Sequence, residues 1–312
     1  MNTIKIKLKP ISPFASYLQS DTIFGHFAWG YRYIYGEEKL LEKLENINET
    51  PFVVFSDGFP KDYLSKPYLA PHDIEPEYMN EIKKYKKCEV VEKSQIIDNI
   101  NKLNDEILFK NFINQENFKN DSGGKKETAI LLKNSINRET FTVTEGLYSV
   151  QETFYENFEY DIYLKYQDIT IEEISEVLSF ISKRGFGKDK SSGKGKFDFS
   201  IESNFDGKEL FSIDKSKKFF LNLSTMFYDR ANLELAYGKS WTKFPKTGGN
   251  YAVNMPFKNP IIVYKSGSTF KVKNYKEFYG DAKSNVFSSN FNNHYHSGHS
   301  IGLFFNTGEG HE

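Results

Sequence analysis

The chain has a single cysteine, Cys88, among its 312 residues. That excludes an internal disulfide and a cysteine-based zinc cluster. Cys88 lies among lysines and glutamates, the setting of a surface or half-buried thiol rather than of a nucleophile. An excess of either charge is also missing: 41 lysines and arginines face 42 acidic residues, a formal net charge of −1. A uniformly basic surface of the kind common in nucleic-acid-binding proteins is therefore excluded, and any basic surface must be local. No apolar run approaches the roughly 20 residues of a membrane span. The first eight residues alternate apolar and polar without the apolar core of a signal segment. A cytoplasmic protein in a reducing compartment is the expectation. Paired aspartates at a hairpin tip, which a cyclase palm site requires, are absent too. What is present is 38% hydrophobic and 16% aromatic residues, ample for packed interiors, in a length that suits two domains.

Ile4, Ile6 and Leu8 alternate with Lys5, Lys7 and Lys9 and predict a strand ended by Pro10 and Pro13. A helix follows, with Ser20 or Asp21 able to cap it. Its apolar stripe runs Ile23, Phe24, Phe27, Tyr31, Ile34, and Gly36 stops it. Phe52 to Phe55 reads as a strand. From Glu75 to about Phe118 the chain is highly charged with helical spacing (Ile96, Ile97, Ile100, Leu103, Ile107, Leu108), and its lysine pairs are balanced by glutamates, as on a solvated helical face. Asn120 to Lys126 predicts a flexible loop. Thr128 to Leu132, Phe141 to Phe154 and Tyr160 to Tyr166 are extended by pattern. Thr170 with Glu173 forms a capping box for a helix bearing Ile174, Val177, Leu178 and Ile181. Phe197, Phe199 and Ile201 alternate in a further strand. With the charged middle, about 75–127, set aside as an insertion, the order is strand, helix, strand, strand, helix, strand. That is the ferredoxin-like, or RRM-like, arrangement of an α+β fold. Phe219 to Tyr228, Pro260 to Tyr264, Thr269 to Val272 and Ser300 to Phe305 predict a second, mostly β domain. The predicted domains are 1–207 and 208–312.

Between the second helix and the strand after it lies Arg184-Gly185-Phe186-Gly187-Lys188-Asp189-Lys190-Ser191-Ser192-Gly193-Lys194-Gly195-Lys196. Five basic residues stand against one acid. The four glycines leave backbone N–H groups open to close approach and permit the positive φ of anion nests, and Ser191 and Ser192 add hydroxyls. A dinucleotide fingerprint fails, because Gly187 and Gly193 are too far apart and the loop runs from helix to strand. A P-loop fails as well, since five residues separate those glycines and Gly195 follows Lys194. An extended polyphosphate such as RNA fits the loop, and a mobile solvated connector is the alternative.

This loop resembles the glycine-rich loop of the RAMP superfamily of CRISPR proteins, and more narrowly of the fourth-subunit Csm family of type III-A effector complexes. Ser12-Pro13-Phe14 with Leu18 to His26 is similar to the opening loop and first helix of that family. Phe55 to Pro60 resembles its next strand and turn. Asn137 to Thr140, with Thr144 to Tyr148 and Glu152, resembles the arginine-bearing RNA-contact segment of RAMP proteins, and His294 to Gly302 the closing motif. The resemblance spans both ends of the chain and misses mainly the insertion. It implies two ferredoxin-like domains, no cofactor, and a non-catalytic role in antiviral defence. Such a subunit would hold the repeat-derived 5′ tag of the CRISPR RNA (crRNA), cap the filament of backbone Csm subunits and dock the large cyclase-polymerase Csm subunit.

Several residues carry two readings. Arg138, before Thr140, is a phosphate or base contact or an exposed arginine beside a turn. Phe14, Ser16, Gln19 and Ser20 line the same cleft, favoured by a strand-to-helix loop and a helix N-terminus; for Phe14 the alternative is packing beneath the first helix. His26 is structural or RNA-lining, or else the general acid or base of a metal-independent crRNA-processing endoribonuclease. His294, His296 and His299 belong to a turn near an interface or RNA, or His294 and His296 hold a metal from one strand face. Trp29 and Trp241 are expected in the core or between domains.

Overall fold

The structure, a computed structural model, describes residues 1–73, 75–114, 124–137, 139–248, 257–284 and 295–308. Strand β1 (Asn2–Pro10) leads through an extended segment into helix α1 (Ser20–Tyr35) and strand β2 (Val53–Phe55). After the insertion come β3 (Lys125–Ile136), β4 (Val143–Glu156) and β5 (Tyr160–Tyr166), then α2 (Ile171–Arg184) and β6 (Phe197–Glu202). The first sheet runs β2-β5-β1-β6, all antiparallel, with Phe59–Pro60 also paired to β5. Leaving β3 and β4 aside, this is the predicted strand, helix, strand, strand, helix, strand order. Thr170 caps α2 with its reciprocal Glu173 bonds, as its spacing predicts. Gly36 ends α1 at φ 99°.

Ile4, Ile6 and Leu8 of β1 pack with Ile162 and Leu164 of β5 beneath Phe24, Phe27 and Tyr31 of α1 and Ile174 and Val177 of α2. The opposite face of this sheet is covered as well. Val54 and Tyr163 share a second core with Leu221 and Leu303 of the C-terminal half and with Ile96, Leu103 and Leu108 of the insertion. That is why β5 is buried along its whole length, Asp161 and Lys165 included. Its alternation marks two covered faces instead of one wet face.

The second sheet uses β7 (Phe219–Asn222), β8 (Leu233–Tyr237), β11 (Thr269–Val272) and β12 (Gly302–Phe305), in the order β8-β11-β7-β12. Strands β9 (Ser240–Lys243) and β10 (Ile261–Tyr264) form a separate hairpin. The strand predicted over 219–228 stops at Asn222, where that side chain bonds the Ser224 and Lys265 carbonyls and turns the chain. Sequence reading missed β8 and β9, whose exposed polar positions blur the alternation. The insertion folds as short helices, Met79–Lys87, Lys93–Ile97 and Asp105–Asn114, packed onto the second core. The loop predicted at 120–126 falls mostly outside the described residues. Among the described residues no helix is long and apolar enough to cross a membrane.

Candidate nucleic-acid interface

The 184–196 loop is held rigidly and is no mobile connector. Five of its residues have positive φ: Gly185, Gly187, Gly193, Gly195 and Asp189. Most of its backbone donors are used within the protein, all four glycine N–H groups included. Gly185 N–H caps α2 at the Ile181 carbonyl, and Phe186 N–H donates to the Gly195 carbonyl. Gly187 N–H donates to Nε2 of His26 at 2.9 Å, and Lys188 N–H to Oγ of Ser16 at 2.9 Å. Gly193 N–H donates to the Lys190 carbonyl, Gly195 N–H to the Pro13 carbonyl, and Lys196 N–H to Oγ of Ser12. The anion-nest expectation is therefore corrected: the glycine N–H groups are spent internally. Three of the glycines serve close packing, because a Cβ on Gly185, Gly187 or Gly195 would fall within 2.6 Å of Lys194, Ser16 or Phe186 atoms. Only Gly193 faces open space. What remains for a ligand is the exposed side chains of Arg184, Lys188, Lys190, Ser191 and Lys196. Arg184 lies over the rings of Tyr33 and Phe180, at 5.3 and 4.6 Å. The Ser192 hydroxyl, also on the exposed side, donates to the Asp189 carbonyl.

Lys194 is the exception among the lysines. Its Nζ lies 2.5 Å from Oε2 of Glu152, and Lys133 Nζ lies 3.0 Å from Oε1 of the same carboxylate. Lys133 also reaches Asp189 at 3.3 Å. Glu152 is fully buried on β4, next to Val150 on the same face. Burial disfavours its charge, but the two lysines outweigh that and hold its carboxyl below the usual range. The carboxylate thus pins the β3–β4 hairpin to the loop, and Lys194 becomes a structural counter-ion.

His26 sits on α1, half-buried, with its ring 4.8 Å from that of Phe186. Burial, with Lys190 nearby, pushes its imidazole down to about 3. It is thus neutral, with Nε2 occupied as an acceptor. Phe14 and Phe186 are themselves buried and tilt against each other, so they support the loop and do not face a ligand. Phe14 also pairs its backbone with Thr153 of the hairpin.

The start of α1 is likewise occupied. Neither Ser20 nor Asp21 caps the helix; Gln19 precedes it without a side-chain cap. The Ser20 N–H donates instead to Oδ1 of Asp57, which also accepts from Thr225. The Ser20 hydroxyl accepts from the Thr225 N–H, and Gln19 Oε1 accepts from Lys243. Burial pushes Asp57 up to about 6, Asp21 adding to it against the Ser20 bonds. A phosphate reading of this helix end is corrected by that built-in carboxylate. Asp21 is pulled the other way: burial opposes its charge, yet the His296 hydrogen bond at 2.9 Å and Lys243 at 2.6 Å bring it to about 2. His296 and His299 are both buried, the second against Phe278 and Ser297, so neither faces solvent where RNA would lie. Trp241 is half-buried against Ile261 and Val263, and Trp29 tilts against Tyr33.

Arg138 and His294 lie outside the described residues. Thr140 is exposed at the tip of the β3–β4 hairpin, its hydroxyl bonded to that of Thr142. No hydrogen bond or ion pair among the described residues joins Thr140 to the loop, whereas Lys133, farther down β3, reaches it through Glu152 and Asp189.

No protein-family model matches the chain, and no curated protein matches it in sequence. Solved structures match it nearly end to end. One is a chain of a Csm3-Csm4 subcomplex in the type III-A CRISPR-Cas interference complex (18% identity, 97% of this chain and 99% of that one, TM-score 0.58). Others are chains of Csm1-Csm4 cassettes with pppApA or cA4 (both 15% identity and 99% of each chain, TM-scores 0.55 and 0.56). Csm4 is the component common to all three. The chain has the Csm4-like fold. At this identity the likeness is one of fold, and it agrees with the resemblance read from the loop and the first helix.

On this Csm4-like fold, sequence reading missed the roles of Glu152, Lys133 and Asp57. Glu152 had one usable signal, an acid at an inward position beside Val150. Asp57 had none, because its partners Ser20 and Thr225 lie 37 and 168 residues away.

Proposed function

We propose that the chain is a non-catalytic RNA-binding subunit of a type III-A CRISPR (Csm) effector complex, holding the 5′ repeat-derived tag of the crRNA. The observation that carries this reading is the clamped loop, which presents Arg184, Lys188, Lys190 and Lys196 from a rigid backbone on a Csm4-like fold. Rigidity limits the ordering cost of gripping a flexible strand, and lysines on phosphates give affinity without base specificity. The chain is then two ferredoxin-like units, 1–207 and 208–312. The recurrence in the second sheet of the first sheet's strand order supports this. The assemblies named for its structural neighbours support docking to a large cyclase-polymerase subunit and to a backbone subunit. The occupied Nε2 of His26 supports a binding role over the endoribonuclease alternative.

The test is anisotropy of labelled single-stranded RNA carrying the host repeat tag, over a salt series. Replacing Lys188, Lys190 and Lys196 with alanine should weaken binding and lower the log–log salt slope by about 2, at ~0.7 per phosphate contact. Unchanged affinity and slope would overturn the loop's role. Cleavage of repeat RNA in EDTA that vanishes in His26→Gln would overturn the non-catalytic reading.

A further inference from the structure

Between Leu235 and Lys276 the sequence holds eight lysines and no acidic residue, in a chain of net charge −1. The rest of the protein is therefore net acidic, and this stretch is its longest acid-free basic segment. Its described residues form the β9–β10 hairpin, with flanks in β8 and β11. Two of its lysines are committed inward: Lys243 to Gln19, Asp21 and Thr22, and Lys258 to the Tyr295 carbonyl. Lys239 and Lys246 are exposed and Lys265 is half-buried, and none of them is paired with a carboxylate among the described residues.

Aromatic rings interleave with these lysines. Phe244 is 66% and Phe257 57% exposed, an unusual state for phenylalanine. Lys246 Nζ lies 5.4 Å above the Phe257 ring, and Lys265 Nζ 5.8 Å above Trp241. Lys265 donates its N–H to the Lys239 carbonyl at one end of the hairpin, and Lys246 pairs with Phe257 at the other. Lysines and rings therefore extend over about 20 Å.

The hairpin and the loop both rest on α1. A Cβ on Gly248 would lie 2.5 Å from the Trp29 indole nitrogen, while His26, one turn earlier on α1, holds Gly187. Trp29 tilts against Tyr33, over which Arg184 lies. One turn of α1 thus joins the two basic elements.

We infer that the β9–β10 hairpin is a second single-stranded RNA contact surface, continuous with the glycine-rich loop, where Lys239, Lys246 and Lys265 meet phosphates and Phe244 and Phe257 stack bases. This rests on the RNA-binding reading of the loop. A solvated hairpin would mix charges of both signs, and an acidic protein partner would give exposed rings between the lysines no planar surface to stack on. Bases supply one, and sequence-tolerant stacking between basic side chains is how single strands are held.

The experiment uses the full chain and a labelled oligouridine of about 20 nucleotides, long enough to cover both elements. Lys239→Ala, Lys246→Ala and Lys265→Ala together should weaken binding and lower the salt slope by about 2. Phe244→Ala with Phe257→Ala should weaken it about thirtyfold or more with the slope unchanged, since stacking releases no counterions. Melting curves establish that these surface variants fold. Wild-type affinity and slope in the hairpin variants, with the loop variant weakened, would overturn this inference and leave the loop's role standing. That is also what an acidic protein or anionic membrane partner at the hairpin would produce. Wild-type binding in both the loop and hairpin variants would overturn both.

Discussion

His26→Phe preserves a ring of similar size beside Phe186 but removes the only side-chain acceptor of the Gly187 N–H. A half-buried donor left without a partner costs about 1–2 kcal/mol. His26→Ala adds the loss of a half-buried ring and should cost about 2–3 kcal/mol in total. His26→Gln restores an acceptor and should recover part of the loss. Acid separates the histidine further. Its folded pKa of about 3 lies below the unfolded value of about 6.5. The unfolded chain therefore binds more protons, and stability falls as pH drops from 6.5 toward 3, with about 2 kcal/mol gone by pH 5. His26→Gln lacks this loss, whereas Asp57 and Asp21 titrate alike in both proteins and cancel in the difference. Urea unfolding at several pH values measures it, and amide exchange at Gly187 reads the clamp directly. If His26→Phe is as stable as wild type and its Gly187 amide exchanges no faster, the loop does not depend on this bond. If His26→Gln and wild type lose stability in parallel below pH 6.5, the buried neutral imidazole is wrong.

Glu152→Gln removes the counter-charge of Lys194 and leaves Lys133 with Asp189 alone among the described residues. Both lysines are partly exposed, so solvent screening reduces the cost of breaking a buried pair to about 1–2 kcal/mol. Urea midpoints equal to wild type would mean that the carboxylate does not join hairpin to loop. Gly195→Ala forces a Cβ within 2.1 Å of the Phe186 carbonyl oxygen at φ 71° and should cost well over 2 kcal/mol. Gly193→Ala meets open space and should lose only about 1 kcal/mol to its left-handed backbone. Equal thermal shifts in the two would refute the close-packing account of this loop.

The local elements were legible in the sequence because their causes are local. The Thr170–Glu173 capping box, the Ile4, Ile6, Leu8 stripe and the Gly36 stop each depend on neighbours within a few residues. The loop's composition likewise announced phosphate. The acid-free run from Leu235 to Lys276 was also visible in the sequence, although its weak alternation hid the hairpin that carries it. Tertiary structure decided which groups are free to act. The loop's glycine N–H groups, Lys194 and the helix end at Ser20 were each read as open to a ligand. Each is taken by a residue far along the chain, or by a carbonyl across the loop, and spacing cannot reveal such a partner. The burial of both faces of β5 has the same origin: a second sheet, contributed by residues more than 50 positions later, lies against it. Sequence determined which chemistry the loop carries. The fold determined that its backbone is clamped, that one lysine is a counter-ion, and that Lys188, Lys190 and Lys196 project outward, because only packing decides which charges are already paired.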